Sequence, residues 1–361
     1  MVAAAPRAEL PIGTTLSSYL ARAATEARAE AGGDLIQAVA ETVTALADAA
    51  AEISGLIARG PLAGALGEAT GAVNADGDTQ VALDLQANEM VLAALRQAPV
   101  AYFASEEEDA ILTLAPEAPV SVAVDPLDGS SNVDVNVSIG TIFSIFPTAA
   151  AGATASFFRR GEEQLAAGYV VYGPHSDLIL TLGAGVDLFV LDPDSGAFRL
   201  ARSGLSIPAA AQEFAINASN YRHWHEPIRT FIDDCLEGAE GPRGKNFNMR
   251  WVASLVSETH RIFSRGGVFL YPADRRPGYE KGRLRLVYEA APIAFLVEQA
   301  GGAASDGMES ILTKVPVELH QRTPLVFGAA EKVRRIAGYH IDPALVRDVP
   351  PLFGNRGLFR S

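Results

Sequence analysis

The period of the apolar positions changes along the chain, and each change predicts an element. Residues 14–31 are rich in Ala, Arg and Glu and predict a helix that stops at Gly32 and Gly33. A second helix is capped by Asp34, with Ile36, Val39, Val43, Leu46, Ala50 and Ile53 at three- and four-residue steps until Gly60 and Pro61. Such a one-sided stripe is core or subunit packing. Residues 71–78, full of Gly, Asn and Asp, read as a loop, and residues 80–97 as a further helix.

From Val100 onward short β-prone runs replace the helical period. Residues 100–104 and 120–124 predict strands, the first ending in Ser105, Glu106, Glu107, Glu108 and Asp109, the second in Asp125. Residues 134–146 open with strict alternation, Val135, Val137 and Ile139 against Asp134, Asn136 and Ser138, the pattern of a half-buried antiparallel strand. Runs at 167–172, 178–182, 188–191 and 198–200 add strands, and Asp192, Pro193, Asp194, Ser195 and Gly196 form a turn between the last two. In the second half, strands at 214–217, 268–271 and 325–327 are interspersed with helices at 227–236 and 254–263. Residues 238–248 read as a Gly-rich, charged loop, and residues 284–298 pass from an apolar run into a helix. The fold class is α/β (α+β), with helices and a mostly antiparallel sheet over 1–205 and a mixed α/β domain over 206–361.

Charge narrows the function. The 361 residues carry 29 Lys plus Arg against 43 Asp plus Glu, a net charge of −14. A chain this acidic does not track a nucleic-acid backbone or an anionic membrane surface, and an anionic substrate requires a local reversal of sign. The single cysteine, Cys235, allows no internal disulfide and no thiolate metal cage. No apolar run approaches the ~20 residues of a membrane helix, and the first residues lack the apolar stretch of a signal peptide, so a cytoplasmic location is expected.

The densest chemistry is Asp125-Pro126-Leu127-Asp128-Gly129-Ser130-Ser131-Asn132. A strand delivers Asp125 to an edge and Asp128 follows three residues later, so two carboxylates and an intervening carbonyl can converge on a hard divalent cation. Gly129, Ser130 and Ser131 then offer unobstructed N–H groups and two hydroxyls, the donors that a phosphate needs. Adjacent cation ligands and anion donors are the layout of metal-assisted phosphoryl transfer. Read as composition alone the same residues make a turn, as Asp192 to Gly196 do. Glu106 and Glu107, Asp78 and Asp84, and Glu289 are further acidic candidates, each by itself a solvated charge. His223 and His225 have no third nitrogen or sulfur ligand nearby in sequence and read as a loop or surface pair.

The run DPLDGSSNVDVNVSIGTIFSIF at 125–146, together with GRLRLVYEAAPIA at 282–294, closely resembles class I fructose-1,6-bisphosphatase. The first pentad is shared with a wider metal phosphatase superfamily that includes inositol monophosphatases, whereas the second motif is specific to the fructose bisphosphatases. The similarity continues in order from about Asn74 to Gly328, through AAGYVVYG at 166–173, MRWVASLV at 249–256, GGVFLYPA at 266–273 and AGGAASDG at 300–307.

This resemblance implies a layered α/β/α/β/α sandwich, a homotetramer, and removal of the 1-phosphate of fructose 1,6-bisphosphate with two or more Mg2+ ions, or Mn2+, per subunit. It implies that Glu106, Asp125, the Leu127 carbonyl, Asp128 and Glu289 are metal ligands, with Asp78 on a loop that closes over them. Asp84 with Glu107 matches the acidic pair that takes a proton from the attacking water. Gly129, Ser130 and Ser131 match the cradle of the 1-phosphate, and Arg285 a nearby cation. Asn217, Tyr271 and Arg283 match residues around the sugar and 6-phosphate, and Arg250 an arginine that reaches that phosphate from a neighbouring subunit.

The chain departs from the family pattern at the 6-phosphate end. Arg283 stands where many members have Lys, Asn220 where a Tyr is common, and Trp251 where another Tyr contacts phosphate. The AMP-binding motif of animal enzymes is not recognisable in residues 27–38, so weak or absent AMP inhibition is expected there. Sedoheptulose 1,7-bisphosphate shares the reacting end and is the closest alternative substrate. A silent metal or sugar-phosphate binding protein is the alternative of another class.

Overall fold

A computed structural model of the chain describes residues 10–28, 33–63, 69–73 and 79–342. The first half begins with helices α1 (Leu16–Arg28), α2 (Gly33–Arg59) and α3 (Ala82–Leu95), with a short hairpin of β1 (Ala69–Val73) and β2 (Thr79–Val81) before the third. Strands β3 (Val100–Ser105), β4 (Leu112–Thr113), β5 (Val120–Asp128), β6 (Ile139–Pro147), β7 (Ala166–Tyr172), β8 (Ser176–Thr181), β9 (Asp187–Asp192) and β10 (Ala197–Arg202) form one sheet, with α4 (Ala153–Phe157) after β6. Its order is β10-β9-β8-β7-β6-β5-β3-β4, antiparallel except where β3 and β5 run parallel.

The second half contributes β11 (Glu213–Ala215), α5 (Glu226–Leu236), β12 (Asn248–Met249), α6 (Leu255–Arg265), β13 (Val268–Tyr271), β14 (Leu284–Arg285), α7 (Ala291–Gln299), β15 (Ala303–Ser305), β16 (Arg322–Thr323), β17 (Leu325–Gly328) and α8 (Ala330–Ile341). Five of these strands form a mixed sheet in the order β12-β11-β13-β17-β15, and β14 pairs with β16.

Three apolar clusters define five layers. The first packs α1, α2 and α3 on one face of the large sheet, through Val39, Val43, Ile53, Val122 and Val124. The opposite face, through Ile142, Tyr169 and Ile179, meets α6 and α7 and, beyond them, Phe269 and Phe327 of the small sheet. The far side of the small sheet carries α5 and α8 over Phe214, Leu270 and Val326. Central strands are therefore buried on both faces, which explains why β5 and β6 read as nearly continuous apolar runs.

Two expectations fail locally. Residues 134–138 alternate in hydropathy yet form no strand: 134–136 lie in turns, with Val135 66% exposed and Asn136 at φ +56°, and the strand begins only at Ile139. Alternation over five residues is too short to outweigh the Gly-Ser-Ser-Asn turn just before it. Residues 71–73 belong to β1 rather than to a loop, and residues 74–78 lie outside the described residues.

Strand β6 also shows how α6 is brought close to the sheet. A Cβ on Gly140 would lie 2.2 Å from the Val170 carbonyl oxygen and under 3 Å from both Val256 methyls. Only a residue without a side chain lets the first turn of α6 approach so closely. Ser254 caps that helix, its Oγ accepting from the Ser257 N–H, and Gly266 at φ +73° ends it.

Candidate active site

The parallel pairing of β3 and β5 places Ser105 opposite Val124, so Glu106 and Asp125 leave the same edge of the sheet. The Glu106 N–H donates to the Val124 carbonyl at 3.1 Å and fixes that exit. The β5–β6 register then breaks between Asp125, opposite Ile142, and Asp128, opposite Gly140. Pro126 and Leu127 fill the irregularity, which the Leu127 N–H braces by donating to Asp125 Oδ1 at 3.0 Å. Asp128 Oδ2 accepts from the Val256 N–H at 3.0 Å, in the α6 turn that Gly140 admits.

Glu289 arrives from the opposite side of the site. Residues Leu286–Ala290 form a wide, π-helical turn leading into α7, and a Glu289 oxygen accepts the backbone N–H of Arg285. One carboxylate oxygen from each of Asp125, Asp128 and Glu289 lies within 4.8 Å of the others, and all three side chains are buried. The Arg285 guanidinium, 2% exposed, stands 3.6 Å from Glu106 Oε1 and donates to the Arg283 carbonyl.

Electrostatics show what this cluster lacks. Burial pushes Glu106 up to about 7, against the pull of Arg285 and with the help of Glu107 and Asp128. Asp128 rises to about 6, again through burial, although the Val256 and Leu255 N–H groups lower it. Asp125 and Glu289 stand well above the usual carboxylate range, through burial and repulsion from their acidic neighbours. Among the described residues, the clustered buried carboxylates have the buried Arg285 guanidinium beside them and still stand raised, and an all-oxygen donor set with spacings under 5 Å fits a hard divalent cation.

The neighbouring groups extend the site. Asp84 is buried in the first turn of α3. One turn later Asn88 donates to Glu108 Oε1 and accepts from Ser105 Oγ, each at 2.7 Å, and the Glu107 N–H donates to Ser105 Oγ. Asn88 and Ser105 thus tie the helix to the acidic turn. Sequence reasoning missed both, and Glu108, at the end of the predicted strand, is tethered by Asn88. The available signal was the four-residue step from Asp84 to Asn88, which puts both on one face of α3. Asp78 lies outside the described residues.

Beyond Asp128 the chain turns sharply. Gly129 adopts φ +82°, Ser130–Asn132 form a single 3-10 turn, and Asn132 Nδ2 donates to the Ala253 carbonyl at 2.9 Å. The Asn132 and Val133 N–H groups are used inside the turn, whereas those of Ser130 and Ser131 donate to nothing among the described residues. Ser131 is exposed and Ser130 half-buried, as an anion cradle requires. The look-alike segment after β9 closes on itself: Asp192 accepts from Ser195 and Arg199 and is pulled down to about 2 by those bonds, an ordinary turn.

A shallow depression has Asn217, Asn220, Tyr271, Asp274, Arg276 and Tyr279 in its wall. Asn217 caps a 3-10 turn, its Oδ1 accepting from Ser219. The Tyr271 hydroxyl is pushed up by burial and feels the charges of both Arg283 and Glu289, which couples the depression electrostatically to the carboxylate cluster. The Arg283 guanidinium sits 4.9 Å from the Tyr279 ring centroid. Arg250 follows edge strand β12, exposed and 3.4 Å from Glu213, and is not part of this wall. His223 accepts from Arg222, and Trp224 beside it is buried core.

Comparison with known proteins gives this geometry a family context. Residues 14–203 match the family model described as fructose-1-6-bisphosphatase, N-terminal domain, and residues 207–341 match the C-terminal domain model. A fructose-1,6-bisphosphatase class 1 from Rhodopseudomonas palustris (strain HaA2) is 54% identical over 349 residues, covering 97% of this chain and 99% of that protein. Another from Bradyrhizobium sp. (strain BTAi1 / ATCC BAA-1182) is 59% identical over 323 residues, 90% of this chain and 94% of that protein. The crystal structure of Leishmania major fructose-1,6-bisphosphatase in holo form superposes with a TM-score of 0.83 at 34% identity, covering 92% of this chain and all of that one.

Proposed function

The chain belongs to the class 1 fructose-1,6-bisphosphatases, and from that premise we propose how its residues carry out the reaction. It hydrolyses fructose 1,6-bisphosphate to fructose 6-phosphate and phosphate. The observation that supports the assignment of roles is the convergence of Asp125, Asp128 and Glu289 within 4.8 Å, directly before the Gly129 turn.

Glu106, Asp125, the Leu127 carbonyl, Asp128 and Glu289 hold Mg2+, with Mn2+ as a substitute. When bound, the cation withdraws electron density from the phosphoryl oxygens and favours ionisation of the attacking water. Ser130 and Ser131 present N–H and hydroxyl donors to the 1-phosphate, and Gly129 keeps their approach open. Arg285, held beside Glu106, offsets charge that develops on the transferring group. Glu107 and Asp84 act as the acidic pair that accepts the proton of the water, and Asp78 belongs to the same acidic set. Asn217, Tyr271 and Arg283 hold the sugar and its distal phosphate.

Arg250 completes the distal phosphate site of a neighbouring subunit, so the working unit is at least a dimer within a homotetramer. Its position at an exposed sheet edge, away from its own depression, supports this reading. Subunit mixing tests it. Arg250→Ala and Asp125→Asn are each expected to be nearly inactive, yet remixed protomers should recover about a quarter of wild-type activity, because hybrid dimers contain one site with both residues. No recovery on mixing would contradict the shared site.

Among the described residues no helix is long and apolar enough to cross a membrane. Product identification tests the bond that is broken. Fructose 6-phosphate should be the sugar product, and accumulation of fructose 1-phosphate would reverse the orientation proposed here. Running sedoheptulose 1,7-bisphosphate alongside measures how far the pocket tolerates the longer sugar.

A further inference from the structure

The depression beside Asn217 and Tyr271 contains a guanidinium that the motifs leave unassigned. Arg276 lies in the loop between β13 and β14 and forms part of the wall. Its Nε donates to both oxygens of Asp274 at 3.0 Å, its Nη2 also donates to Oδ2, and its backbone N–H donates to Oδ1 at 2.9 Å. The guanidinium carbon stands 3.9 Å from the Tyr279 ring centroid. Asp274 is itself 2% exposed, so the clamp is anchored in the protein rather than floating at the surface.

This arrangement orients Arg276 without consuming it. The bonds to Asp274 use Nε and Nη2, and Nη1 makes no hydrogen bond among the described residues. A planar fork held by a carboxylate and an aromatic face has already lost most of its rotamer freedom, so engaging a ligand costs little further entropy. Arg283 stands over the same ring, which makes Tyr279 a shared support for two guanidinium groups in a protein of net charge −14.

Apart from Arg276, the residues lining the depression offer neutral donors only. Asn220 occupies the wall without a phenol, and the Trp251 ring stacks on Phe269 at an interplanar angle of 8°, offering no hydroxyl. A phosphate arriving here needs charge-assisted donors.

We infer that Arg276 is a substrate-binding residue that grips the phosphate remote from the scissile bond through Nη1, with Asp274 and Tyr279 as its clamp. The inference rests on the bisphosphatase reading of the site. It is tested with Arg276→Gln, which keeps length and a donor to Asp274 but removes the charge, and with Arg276→Lys, which keeps the charge but loses the fork. The Arg276→Gln enzyme should raise the KM for fructose 1,6-bisphosphate and the inhibition constant of fructose 6-phosphate about tenfold, with kcat little changed. Inhibition by inorganic phosphate, which lacks the remote group, should stay unchanged, and Arg276→Lys should fall between. Unchanged constants for fructose 6-phosphate, or equal losses for both inhibitors, would overturn the role. Wild-type turnover with an indifferent Arg276→Gln enzyme removes only this inference, whereas no wild-type turnover removes the bisphosphatase reading on which it stands.

Discussion

Asp125 illustrates how one residue sets the character of the site. It is buried, faces Glu106, Asp128 and Glu289, and is held well above its usual pKa by burial and their repulsion. Asp125→Asn removes one of these charges at nearly constant volume. Turnover should fall at least about a thousandfold, while the metal-free protein at pH 8 should melt a few degrees higher, at roughly 2–4 °C per kcal/mol of relieved repulsion. A variant that loses activity by unfolding, seen as a lower melting temperature, would point to a structural aspartate instead. At this scale the sequence was informative where a motif concentrates chemistry: Glu106, Asp125, Asp128 and Glu289 were all legible as candidates. Asn88, Ser105 and Arg276 were not, because a lone polar residue on a helix or in a loop gives no sign of what it faces until the chain is folded.

At the scale of elements, the cluster depends on how closely helix α6 approaches the large sheet. Gly140 permits that approach, and the approach puts the Val256 N–H on Asp128. Gly140→Ala should cost about 1–3 kcal/mol, from a Cβ forced against the Val170 carbonyl, and should lower kcat through displacement of α6. Calorimetric melting together with steady-state kinetics checks this, and a variant matching wild type in both would show that α6 has slack. Most strands and helices were readable from their period, since burial on one or both faces leaves a direct imprint on the pattern. The false strand at residues 134–138 shows the limit: a short alternating stretch carries no information about whether a partner strand is in reach. The wide turn at Leu286–Ala290 was equally hidden, because its apolar residues suit a strand, a helix or a turn alike.

For the whole molecule, the five layers place a set of buried acids where the halves of the chain meet, and this makes stability depend on pH in a definable direction. Glu106 and Asp128 titrate near 7 and 6 when folded, above the ordinary carboxylate values of the unfolded chain. The metal-free folded state therefore binds more protons than the unfolded state between about pH 4 and 7, and its stability should decline as pH rises through that window. A bound cation displaces those protons, so the rise in melting temperature caused by Mg2+ should be larger at pH 8 than at pH 5. Equal rises at both would contradict a carboxylate site. The layered order itself was not legible from periodicity, which shows that a strand is buried but not which helix covers it; the family resemblance supplied that step.

Hydrolysis of the 1-phosphate at this carboxylate cluster requires both the divalent cation and Asp125. Phosphate release from fructose 1,6-bisphosphate by chelator-stripped protein tests it most directly, with Mg2+ added back to wild type and to Asp125→Asn. Release should be negligible without the metal, return with Mg2+ in the wild type, and stay negligible in the variant. Full turnover without metal, or by Asp125→Asn with it, would contradict the account.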